Sequence, residues 1–165
     1  MQSTANATPP KRLYTEAERA RRDATVWTLV QGLLAPMQFM AFGVSLFLVL
    51  RYLATGSGYD AATISILVKT VFLLVIMITG AIWEKKVFGQ YLFAPAFFWE
   101  DVFSFAVIGL HCAYVAMLWT NGLSPNGLMV LALLAYAAYV INAGQFIWKL
   151  RRARLDMRRD AQVPA

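Results

Sequence analysis

The sequence predicts an all-α integral membrane protein, a four-helix bundle with both termini in the cytoplasm. Three observations carry that expectation. First, 59% of the 165 residues are hydrophobic and only 15% charged, with mean hydropathy +0.55; soluble domains hold about 45–50% apolar and about 25% charged residues. Second, four apolar stretches each reach the roughly 20 residues that span a bilayer. Third, the net charge of +6 is polarised: five basic residues lie between Lys11 and Arg22 and six between Lys149 and Arg159. Basic ends around an apolar middle suit anionic headgroups better than nucleic acid. The first 25 residues contain no apolar signal-peptide core, so targeting is expected to come from the spans themselves. The single cysteine, Cys112, leaves no intrachain disulfide to form.

Residues 1–25 read as a cytoplasmic N-terminal segment. MQSTANATPP has the composition of a disordered tail. Thr15 and Glu18 have capping-box spacing ahead of a short polar helix reaching Asp23. Its arginines suit either a membrane surface or plain solvent.

Residues 26–150 read as the membrane domain. The first span, about 26–53, is long enough to tilt, and Pro36 removes a backbone donor within it. Gln31 and Gln38, seven apart, share a face that needs polar partners. ATGSGYD (54–60) is a turn by composition. The second span, about 62–83, contains Lys69, whose ammonium either snorkels outward or has a buried partner. The third, about 95–119, has Pro95 in its expected first turn and His111 deep inside. NGLSPNG (121–127) is a second turn. The fourth, about 128–150, places Tyr136, Tyr139, Asn142 and Gln145 along one drifting stripe. Residues 151–165 form a basic cytoplasmic tail. Lys and Arg occur in the N-terminal segment, the 84–98 connection and the tail, and are absent from 54–60 and 121–127, so the positive-inside rule puts both ends in the cytoplasm.

The connection WEKKVFGQYLFAPAFFWEDVFS (83–104) concentrates three of the nine acidic residues among aromatic groups. By helix rise, Gln31, Gln38, Asn142 and Gln145 fall in the same half of the bilayer as Glu100 and Asp101. That pattern predicts a pocket open to the cytoplasmic interface. Each group also has a plainer role. Glu100 and Asp101 suit the positive end of a helix dipole. They point about 100° apart, so they are not a matched pair on one face. Glu84 with Lys85 reads as a headgroup anchor, and the amides read as interhelical glue. His111 is either a neutral histidine hydrogen-bonded between helices or a metal ligand. It shares a face with Glu100 but lies about 16 Å away along the axis, too far for one proton relay.

WTLVQG (27–32), RYLATGSGY (51–59), the 83–104 run and AYVINAGQF (138–146) together resemble the vinyl (bacterio)chlorophyllide hydratase family of bacteriochlorophyll biosynthesis. The likeness covers about 23–155. It implies a hydro-lyase that adds water across the C3 vinyl group of a chlorophyllide or bacteriochlorophyllide, leaving 1-hydroxyethyl. It implies no cofactor and no protein-bound metal; magnesium enters only with the substrate. Protonating the terminal vinyl carbon leaves a cation that the macrocycle delocalises, so the reaction needs a proton donor and a base. Glu100 and Asp101 are the candidates, with Glu100 preferred. His111, Gln31, Asn142, Gln145, Trp99 and Lys85 are the candidate substrate-binding residues, with the propionate edge of the pigment at the headgroups and its ring among the aromatic groups of 93–99.

The alternative reading is a non-enzymatic pigment-binding or assembly protein of the photosynthetic membrane, which a carboxyl essential for turnover but not for binding would exclude. A four-helix exporter is a third class, disfavoured because no carboxylate lies mid-span. The expected location is a bacterial cytoplasmic or intracytoplasmic photosynthetic membrane. The expected partners are the pigment, the bilayer, and a second copy of the chain or neighbouring pathway enzymes, with no nucleic acid.

Overall fold

The apolar stretches and the turns between them become five helices: α1 (Glu16–Ala24), α2 (Val26–Thr55), α3 (Tyr59–Phe88), α4 (Phe98–Trp119) and α5 (Pro125–Asp160). The structure is a computed structural model that describes residues 13–160, with side chains to Leu155. The tail expected over 1–10 and the last residues of the expected basic tail lie outside the described residues. No strand occurs among the described residues.

Local chemistry explains the boundaries. The Thr15 side chain accepts from the Glu18 amide at 3.3 Å, and Glu18 accepts from the Thr15 amide at 2.7 Å, the expected capping box. Thr25 ends α1 and caps α2. Gly56 (φ 70°) and Gly89 (φ 87°) close α2 and α3 in the left-handed region, which residues with a Cβ enter only at a cost. Pro125 opens α5, where a missing amide hydrogen is harmless. Helix α2 runs continuously through Pro36.

Three elements depart from expectation. Helix α5 begins at Pro125 and continues to Asp160, into the stretch expected as tail. Helix α3 continues five residues past Trp83, to Phe88, and α4 starts at Phe98 rather than at Pro95. Pro95 lies in the turn before α4, where the Phe97 amide donates to the Ala94 carbonyl at 2.7 Å. The connection between α3 and α4 is thus short, and its backbone is held by side chains described below.

Helices α2 and α3 form one closely packed hairpin and α4 and α5 a second; fewer contacts join the two hairpins. The start of α2, the end of α3, the start of α4 and the end of α5 lie together at one end. There α1 crosses α3, and Arg21 Nε donates to the Val87 carbonyl at 2.7 Å. Tyr14, Val87, Phe97 and Ala153 form the core of this end. Leu73, Val107 and Tyr139 pack at mid-height, and Val49, Ile66, Tyr114, Met129 and Tyr136 lie beyond them. Outward faces carry exposed apolar side chains such as Leu33, Met40, Phe47, Ile78 and Leu134. A surface apolar all round is what lipid requires. Four helices are long and apolar enough to cross a membrane, which suggests a multi-pass membrane protein.

A candidate active site along the seam between two hairpins

Continuing α3 past Trp83 carries Glu84 onto the buried helical face that also holds Lys69, Leu73 and Val87. Lys85 and Lys86 turn outward. Glu84 is only 5% exposed, so the headgroup-anchor reading of this residue is replaced. Its Oε2 accepts from the Ala94 amide at 3.2 Å. From the first turn of α4, Asp101 Oδ2 accepts from the Phe93 amide at 2.7 Å. Phe93 sits at φ 58°, an uncommon conformation for a residue with a Cβ. The Glu84 and Asp101 carboxyls, on different hairpins, lie within hydrogen-bonding reach of each other. Asp101 is 4% exposed.

Glu100 is buried beside them but has another partner. Its Oε2 meets Lys149 Nζ from α5 at 2.5 Å. Lys149 also donates to the Ala96 carbonyl and lies 5.0 Å from the centre of the Phe97 ring. Three side chains from α3, α4 and α5 thus bind the backbone of residues 93–96. Trp83, Phe88, Phe97, Phe146 and Tyr14 pack around them. Burial pushes the Tyr14 phenol up to about 12, against the opposing pull of the Arg22 guanidinium 5.0 Å from its ring.

A second polar cluster crosses the same seam deeper in. Lys69 is 0% exposed, and its Nζ donates to His111 Nε2 at 3.1 Å. His111 Nδ1 donates to the Val107 carbonyl at 2.8 Å, which leaves Nε2 as the acceptor. The Lys69 nitrogen also lies 4.2 Å from the Tyr139 ring centre and 5.2 Å from that of Tyr136. Tyr136 shares a 2.5 Å hydrogen bond with Ser45, which meets Ser65 at 2.8 Å. Lys69 therefore has a buried partner rather than a path to the surface. His111 is bonded between helices.

Between the clusters lie amides with unused capacity. Asn142 Nδ2 donates to Ser104 Oγ at 2.9 Å, while its Oδ1 and Gln145 Oε1 are buried without partners. Gln38 is buried with neither side-chain atom bonded. It stands four and seven residues before Phe42 and Ser45, which both touch Tyr136, so it shares the seam face of α2. Gln31 is spent within its own hairpin, donating to Thr79 Oγ1 at 2.8 Å.

Of the residues expected at the site, Glu100, Asp101, His111, Asn142 and Gln145 fall along or beside this seam. Trp99 is 66% exposed on the outer surface. Lys85 is exposed and donates to the Gly89 carbonyl at 2.7 Å. Sequence reasoning missed the pairing of Glu84 with Asp101 and of Lys69 with His111. The available signal was the stripe 66, 69, 73, 80, 84, 87, which continues the buried face of α3 through Glu84.

Residues 14–152 match the family model described as 2-vinyl bacteriochlorophyllide hydratase. The chain belongs to this family. Two curated relatives carry the same name. The one from Cereibacter sphaeroides is 71% identical over 158 residues, covering 95% of this chain and 98% of the relative. The one from Rhodobacter capsulatus is 73% identical over 146 residues, covering 88% and 85%. No solved structure matches the chain. The family span runs from the buried Tyr14, through both polar clusters, to just past Lys149.

Proposed function

We infer that this chain is a hydro-lyase that adds water to the vinyl group of a bacteriochlorophyllide, and that the Glu84–Asp101 pair supplies the proton. The family model and both relatives carry the hydratase name. The observation behind the proton donor is two buried carboxyls from different hairpins within hydrogen-bonding reach. Two carboxyls at this reach can share one proton, and we read the pair as a carboxylic acid beside a carboxylate.

That state has both functions the reaction needs. The acid protonates the terminal vinyl carbon as the C=C π bond breaks. The resulting cation, on the carbon attached to the macrocycle, is delocalised by the ring and faces the remaining carboxylate charge. Water attacks this carbon and gives up a proton to a carboxylate of the pair. One proton leaves the pair and one returns, and water addition is redox-neutral, so no cofactor is consumed. Any magnesium belongs to the pigment. Glu100 is ion-paired with Lys149, which in turn holds the Ala96 carbonyl, so this pair secures the connection beside Glu84 and Asp101. Gln38, Asn142 and Gln145 offer hydrogen bonds to the macrocycle edge, and Trp99 offers an aromatic surface at the entry from lipid.

The end carrying Arg19, Arg21, Arg22, Lys85, Lys86 and Lys149 faces the cytoplasm, with Arg51 at the other end; this is the positive-inside arrangement. Both termini are then cytoplasmic, and the pigment's chemistry puts the protein in the photosynthetic membrane, where a second copy or a neighbouring enzyme would meet its lipid-facing surface. The test is expression in a membrane that makes no pigment, addition of a vinyl chlorophyllide or bacteriochlorophyllide, and mass analysis of the extract. The parent chain should yield a product heavier by one water. Glu84→Gln and Asp101→Asn should bind pigment and lose turnover. Loss with Glu100→Gln alone would move the proton donor to Glu100.

A further inference from the structure

Lys69 is the group that the proposed proton transfer leaves unused. It is fully buried at mid-span, and no carboxylate lies within ion-pair distance of it among the described residues, whose ion pairs are Arg22–Asp23 and Lys149–Glu100. A buried ammonium needs a counter-charge, and an ionisable group inside a membrane segment marks a ligand or proton site by default. Its present neighbours, one neutral imidazole nitrogen and two tyrosine rings, offer hydrogen bonding and π faces but no negative charge.

A bacteriochlorophyllide brings one fixed anionic group, the propionate left free by the absence of an esterifying alcohol. On the macrocycle this arm and the vinyl group stand on neighbouring pyrrole rings, at C17 and C3, and diverge by more than a right angle. Along α4, Asp101 and His111 are ten residues apart, about 15 Å of helix. That separation is on the order of a tetrapyrrole with both arms extended. The orphaned polar atoms of Gln38, Asn142 and Gln145 fall between the two clusters, where the ring edge would lie.

Building on the hydratase reading, we propose that Lys69, presented by His111 and Tyr139, is the receptor for the substrate's propionate carboxylate. Engaging it at mid-span sets the vinyl arm at Glu84–Asp101. The site then selects the free acid over esterified pigments, because an ester brings no charge to Lys69. This orientation reverses the expectation that the propionate stays at the headgroups near Lys85. A rival cationic site exists there, an open groove of about 560 Å³ lined by Arg21, Thr25, Trp27 and Lys86. Water already solvates the cations of an open groove, so an anion gains less there than at a dry ammonium.

The test compares a vinyl bacteriochlorophyllide with its propionate methyl ester on the full chain in membranes. The parent chain should prefer the acid by about tenfold or more in kcat/KM, the range for a hydrogen bond to a charged group. Lys69→Met should bring the acid-to-ester ratio to about one through KM, and Lys69→Arg should keep a preference. A folding defect lowers both substrates together and leaves the ratio in place, and the ester on the parent chain needs no variant. Equal turnover of acid and ester by the parent chain would overturn the proposal. So would a preference that survives Lys69→Met and vanishes in Arg21→Gln/Lys86→Gln, which would put the carboxylate in the open groove. No hydrated product from the parent chain with either substrate would overturn the hydratase reading itself.

Discussion

Replacing Asp101 by Asn removes a transferable proton while leaving its hydrogen bonds replaceable. The Asp101 carboxyl accepts the Phe93 amide at 2.7 Å and lies against Glu84. An asparagine carbonyl can accept the same amide, and its NH₂ can donate to Glu84. The fold should therefore lose about 1 kcal/mol or less. On the proposed mechanism catalysis loses one member of the acid–base pair, a contribution of about 10²–10⁴ in rate, or about 3–5 kcal/mol of barrier. Asp101→Ala differs, because it strands the Phe93 amide at a cost of about 1–3 kcal/mol and frees a connection held at positive φ. The assay is single-turnover formation of hydrated pigment in membranes, read beside pigment affinity. Asp101→Asn should lower the rate at least about 100-fold at nearly unchanged affinity. The parent's rate should fall at both pH extremes, since the pair works with one proton and fails with none or two. A rate within threefold of the parent's, roughly 0.7 kcal/mol, would refute the role of this pair.

Three further outcomes test the frame around the site. Lys149→Met should destabilise the protein by about 3 kcal/mol, the lower end for a broken buried pair because the lysine is partly exposed; Lys149→Met/Glu100→Gln should recover most of that in thermal unfolding followed by circular dichroism in detergent. The Tyr14 phenol should resist ionisation until about pH 12 in ultraviolet titration; because burial raises its folded value above the ordinary 10, the stability tied to its neutral form is complete below pH 10 and is lost as the pH rises through about 12. Gly89→Ala should cost about 1 kcal/mol from backbone strain alone, since φ is 87° and nothing lies within 4 Å of the added Cβ; an unchanged melting temperature would contradict the left-handed cap.

Much of the site's composition was legible in the sequence, but its pairings were not. The polar stripe of α5 and the acidic start of α4 pointed to one half of the bundle, and Glu100, Asp101, Asn142 and Gln145 do gather there. Glu84 was misread because its neighbours Lys85 and Lys86 look interfacial; one and two helical steps of about 100° separate the buried carboxyl from their exposed ammonium groups. Glu100 and Asp101 were rightly seen to point apart, and that divergence sends one to Lys149 and the other to Glu84.

The amino-acid sequence by itself determined the number of spans, the apolar outer surface, the capping box at Thr15, the end of the bundle that gathers the basic residues and, through four separated motifs, the family. These are sums over local residues: transfer to hydrocarbon adds along a stretch, and caps and turns depend on residues within a few positions. Only the tertiary structure decided that Glu84 meets Asp101 and Lys69 meets His111. Such meetings depend on how each helix is rotated and on which hairpin faces which. A rotation of one residue about α3 would move Lys69 or Glu84 to lipid without altering the hydropathy of the span.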